Sequence, residues 1–194
     1  GYCNEVQLLS YVFSYDGQTL PDVLAICAAS AALVLSDIPL IKPIGAVRVG
    51  LIDHHFVINP TSEEMKLSQL DLILAGTEDA VLMIEGFCDF LSEAQVLEAI
   101  EQGQNAIREI CLRLNDWREK IGKEKRREHL RSTPHETTQA VHAATAPLLE
   151  SALRISSKVE REKIVAEIQE TMLKTLLPEE GEALHIKADL LIAF

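Results

Sequence analysis

Residues 44–77 read IGAVRVGLIDHHFVINPTSEEMKLSQLDLILAGT and constrain the fold more than any other stretch. Strand-forming runs fall at about 46–52, 56–58 and 70–75, with a fourth at 81–85. Asp53-His54 and Glu78-Asp79 separate neighbouring runs so briefly that each pair must turn back as a hairpin. A sheet built this way needs helices to cover it.

Two candidates flank the strands. After the Asp16-Gly17 turn, Pro21 and Asp22 suit the first turn of a helix that continues through VLAICAASAALVLS to Asp37-Ile38-Pro39. Its core, residues 23–35, is interrupted only by Ser30, which implies burial between layers; Ala28, Ala29, Ala31 and Ala32 permit close approach to a sheet. That run is too short for the roughly 20-residue span of a bilayer. Ser92-Glu93-Ala94-Gln95 is a capping-box pattern opening a second helix. Val96, Leu97, Ile100, Ile107, Ile110, Cys111 and Leu114 fall on one face of it, and Gly103 marks a close approach. Upstream, residues 6–14 read as one further strand.

At about residue 116 the strand signals stop. Residues 118–131 hold seven basic and three acidic positions. Thr133-Pro134-His135-Glu136 and Ser157 with Glu160 are two more capping boxes, and Pro147 is expected to kink or divide the helix after the first of them. Ile164, Ile168, Met172 and Leu176 step along the next helix, Pro178 and Gly181 stop it, and a last helix starts near Glu182. The expected class is therefore α+β: a mixed sheet packed by helices over residues 1–115, then a small all-α domain over 116–194.

The net charge of −12 is uneven: residues 1–115 carry 5 Lys+Arg against 16 Asp+Glu, residues 116–194 carry 13 against 14. An acidic surface repels phosphate backbones, so nucleic-acid contact needs a local basic patch. Lys123, Lys125, Arg126 and Arg127 form the one credible patch, with a solvated helix-linking face as the commoner explanation of such a run. Arg48 is isolated on an apolar strand. It either faces a nucleic-acid path or subunit interface, or pairs with a carboxylate such as Asp37 or Asp71; the cost of an unpaired buried charge favours pairing.

The remaining polar residues suggest little chemistry. His54 and His55 point to opposite faces, and His129, His135 and His142 lack helical metal-site spacing. Glu63-Glu64 and Glu78-Asp79 read as charged turns and helix starts. Cys3, Cys27, Cys88 and Cys111 form no C-x-x-C pair and read as reduced core thiols, consistent with a cytoplasmic setting. No basic, cleavable leader precedes the apolar run. The start at Gly1 and the uncapped apolar end DLLIAF read as a fragment of a longer protein.

Pro43-Ile44-Gly45, Asn59-Pro60-Thr61 and Ala75-Gly76-Thr77, with SYDGQTLPDVLAICAASAALVLSDIP upstream, resemble the first core of the polynucleotide phosphorylase family. The resemblance implies the latter half of a first RNase PH-like core followed by an all-helical linker domain. It also implies a homotrimeric ring, whose other parts include an active second core and KH and S1 RNA-binding domains. Such rings degrade RNA from the 3′ end, with inorganic phosphate as co-substrate and Mg²⁺ or Mn²⁺ assisting, and they work with RNA-degradation partners; no membrane is involved.

In the family's active core a Gly-Ser-Ser-Ser run cradles phosphate and an Asp in a Gly-Asp-Met-Asp-Phe context binds metal. Here the corresponding residues are Gly17-Gln18-Thr19-Leu20-Pro21-Asp22 and Ser68-Gln69-Leu70-Asp71-Leu72, with Gln69 in place of the metal-binding Asp. The resemblance therefore implies a catalytically silent segment, with no catalytic or metal-binding residue, that serves ring assembly and the RNA path. The other reading is a stand-alone interaction module derived from the inactive core. Continuation of the reading frame into a second core would separate the two.

Overall fold

A computed structural model describes residues 1–128, 130–177 and 183–194. The expectations for His129, Pro178, Gly181 and Glu182 lie outside the described residues. The chain divides into two compact units, Tyr2–His129 and Leu130–Phe194 with Gly1.

The first unit is α+β. Helix α1 (Pro21–Leu35) precedes strands β1 (Gly45–Ile52) and β2 (His55–Ile58), the short α2 (Ser62–Met65), strands β3 (Leu70–Gly76) and β4 (Val81–Cys88), and the long α3 (Glu93–Ile121). All strand pairs are antiparallel, in the order β2-β1-β3-β4. Asp53 and His54 make the β1–β2 turn with φ of 48° and 63°, the left-handed pair a two-residue hairpin requires.

Strand alternation decides what each face meets. Val47, Val49 and Leu51 of β1 and Leu70, Leu72 and Leu74 of β3 turn to α3, where Ala99, Ile107 and Cys111 close the core. The opposite face offers Ala46 and Ala75 to Val23 of α1. Fully burying one Val or Leu stabilises by about 1.5–3 kcal/mol, so the α3 face contributes most of the cohesion. Gly103 allows this approach: a Cβ there would lie 2.3 Å from Leu74 Cδ1. Both halves of the Ser92–Gln95 capping box form.

Several expectations need correction. Residues 6–14 are not a strand: the segment pairs with none of the four strands of the sheet. Instead residues 8–14 line an open apolar groove beside Leu24, Ala28 and Ala32. For the same reason α1 is covered on its sheet side only, and Leu24 remains 53% exposed. Leu97 is solvated, and Ala99 takes the buried position expected of it. Cys3 and Cys88 are exposed, so only Cys27 and Cys111 behave as interior thiols. Residue 116 falls inside α3, whose helical periodicity continues to Ile121 after the composition changes.

The second unit is helical: α4 (His135–Leu153), α5 (Lys158–Leu176) and α6 (Ala183–Ala193). They meet through Val141, Met172 and Leu190, and Arg131 pairs with Asp189 at 2.7 Å. The expected Thr133 capping box is absent because the helix starts one residue later, with Pro134 at its N-cap. Pro147 is accommodated without dividing α4.

Candidate functional site

The loop leading into α1 is where an anion-binding cradle would have to form. Its donors are already taken. Asp16 Oδ1 accepts the backbone N–H groups of Gln18 and Thr19, both at 2.8 Å, and Thr19 Oγ1 donates to Asp16 Oδ2 at 3.3 Å. These bonds, the Thr19 N–H foremost, hold the Asp16 carboxyl below its ordinary range. Pro21 has no N–H to offer, and the Val23 N–H donates to Asp22 Oδ1 at 2.8 Å.

Alternation along β1 sends Val47 and Val49 toward α3 and places Arg48 on the α1 side. There the residue is only 9% exposed. Its Nη1 donates to Asp71 Oδ1 and its Nη2 to Asp22 Oδ2. Asp71 sits opposite Gly50, on the diagonal from Arg48, within reach across two strands. Pairing with Asp71 agrees with the sequence expectation. Asp37 instead pairs with Arg126 at 2.7 Å. The second partner, Asp22, escapes sequence reasoning because it lies on the covering helix and not on a neighbouring strand. The signal that could find it is the strand parity of Arg48 combined with a carboxylate in the first turn of the covering helix.

The residues do not fit a divalent metal. Gln69 is exposed, and its neutral amide cannot offset cationic charge. Asp71 is already bonded to Arg48. Among the described residues, no group of three or more His, Cys, Asp or Glu is placed to hold a metal ion. His54, His55, His135 and His142 are all exposed. The acidic pairs have local roles: Glu64 completes the capping box of α2, Glu63 pairs with Lys66, and Asp79 pairs with Lys42.

The basic run behaves as two sets of residues. Lys125 Nζ donates to the carbonyl oxygens of Leu33, Val34 and Ser36 at 3.0, 2.7 and 2.6 Å, closing the C-terminal end of α1. Backbone bonds from Lys123 N to Leu35 O and from Arg126 N to Asp37 O flank it. A cation over the last carbonyls complements the helix dipole. Sequence pattern identified these charges but not this arrangement, because nothing local links residue 125 to residue 33. The side chains of Lys123 and Arg127 are outside this clasp, and both residues are exposed.

Comparison with known proteins identifies this architecture. The 3′ exoribonuclease family, domain 2, matches residues 42–106, from just before β1 into α3. A polyribonucleotide nucleotidyltransferase of Protochlamydia amoebophila is 60% identical over 94% of this chain and 26% of its own length. The chain is similar to a segment of polyribonucleotide nucleotidyltransferases. The enzyme so named from Chlamydia pneumoniae is 48% identical over 95% of the chain and 27% of its own length. A probable chloroplastic polyribonucleotide nucleotidyltransferase 1 of Oryza sativa is 46% identical over 93% and 20%. The chain thus spans about a quarter of the bacterial relatives. Among solved structures, rice Rrp46 aligns with a TM-score of 0.44 at 22% identity, covering 48% of this chain and 45% of that one. No helix among the described residues is long and apolar enough to cross a membrane.

Proposed function

We propose that the chain is the scaffold part of a polyribonucleotide nucleotidyltransferase, which degrades RNA 3′ to 5′ by phosphorolysis and releases nucleoside diphosphates. The 60% identity across nearly the whole chain to an enzyme of that name carries this reading. Residues 1–115 act as the latter part of a first RNase PH-like core and 116–194 as the helical linker. The working assembly is a cytoplasmic homotrimer, with Mg²⁺ or Mn²⁺ bound outside this segment, RNA and inorganic phosphate as substrates, and other RNA-degradation proteins as partners.

The segment itself does no chemistry. Phosphorolysis needs a phosphate held by unoccupied donors and charge-stabilised as it attacks. Here the α1 loop gives its N–H groups to Asp16 and Asp22, and the nearby guanidinium is neutralised by two carboxylates. Incubating RNA with phosphate and Mg²⁺ tests both halves of the proposal. The full-length protein should release nucleoside diphosphates, and this segment should release none above a no-protein control. Release by the segment would overturn its silent role; none from the full-length protein would overturn the activity.

A further inference from the structure

We infer that Arg48 and the first turn of α1 form an oxyanion site that the chain fills with its own Asp22 carboxylate. Three observations converge. Asp22 is held as a bound anion would be, one oxygen on the Val23 N–H and the other on Arg48 Nη2. Arg48 is nine-tenths buried, and its Nε is a buried donor without a hydrogen-bond partner. A buried N–H is rarely left unpaired, so the guanidinium has more donor capacity than its two carboxylates use. Finally, Arg48 lines a cavity of about 40 Å³ with Thr19, Leu20, Val23, Leu24, Asn59 and Pro60.

The chemistry suits a tetrahedral oxyanion. A guanidinium offers donors in a fork that matches phosphate, and the positive end of a helix adds to it. The Asp22 side chain is 44% exposed, so its removal would open a path from solvent to Arg48. Asp71 stays bonded to Nη1 and orients the guanidinium. The inference does not depend on the proposed RNA chemistry, because it concerns only which anion Arg48 holds.

Asp22→Ser vacates the carboxylate position, whereas Asp22→Asn neutralises it while keeping its bulk. Equilibrium dialysis of the full-length protein against labelled inorganic phosphate counts bound anions per chain, with sulfate and chloride at matched ionic strength as competitors. Asp22→Ser should bind one more phosphate than wild type, displaced by sulfate but not by chloride. Asp22→Asn should bind no more than wild type, and adding Arg48→Met to Asp22→Ser should remove the gain. If Asp22→Ser folds only when phosphate is present, the anion has replaced the carboxylate and the inference holds. Equal phosphate counts in Asp22→Ser and wild type overturn it, as does failure of the variant to fold in either salt.

Discussion

Arg48 contributes to structure because two carboxylates meet it from different elements. Without it, Asp22 and Asp71 would face each other across a space previously filled by a cation. Breaking a buried pair typically costs about 3–5 kcal/mol, but both carboxylates here are roughly two-fifths exposed and water would screen part of that repulsion. Arg48→Met is therefore expected to lower the unfolding free energy by about 1–3 kcal/mol, measured by urea titration. Adding Asp22→Asn and Asp71→Asn to Arg48→Met should return part of the loss. If the triple variant is no more stable than the single one, lost packing by the arginine stem explains the effect and repulsion does not.

Packing between elements was legible where one periodicity fixed the answer. The α3 row could be read at sequence level because Ile107, Cys111 and Leu114 repeat on a helical face. The gap at Gly103 had a physical meaning, since Leu74 and Val49 fill it. What could not be read depended on distant partners. Residues 6–14 have strand composition yet pair with no strand; Lys125 reaches α1 across 92 residues; Asp22 reaches β1 across 26. Gly103→Ala tests the packing directly. Replacing Gly by Ala in a helix normally gains about 0.5–1 kcal/mol, but the new Cβ would lie 2.3 Å from a Leu74 side chain that is 0% exposed. Overpacking of this kind costs about 1–3 kcal/mol. The expected net result is a lower melting temperature by differential scanning calorimetry. A stabilised variant would mean that Leu74 can repack and that the α3–sheet interface is looser than its geometry indicates.

For the molecule as a whole, under the proposed function, the charge distribution decides where RNA would approach. The acidic first 115 residues repel a phosphate backbone, so binding depends on the few cations that remain free of structural bonds. Lys125 holds the end of α1 and Arg126 holds Asp37, which leaves Lys123 and Arg127 as the exposed members of the run outside that clasp. Neutralising Lys123→Gln with Arg127→Gln in the full-length protein should weaken RNA binding without lowering stability. Each single-strand phosphate that the protein no longer neutralises reduces the slope of log affinity against log salt by about 0.7, so removing both cations should reduce it by about 1.4. Lys125→Gln should do the reverse: RNA affinity and salt slope stay unchanged, while stability falls by about 1 kcal/mol as charge-assisted bonds to the helix end disappear. Fluorescence anisotropy across a salt series, paired with urea titration, separates the two sets. Unchanged salt slopes in the Lys123/Arg127 variant would make the whole run a structural clasp and move the RNA path to another part of the protein.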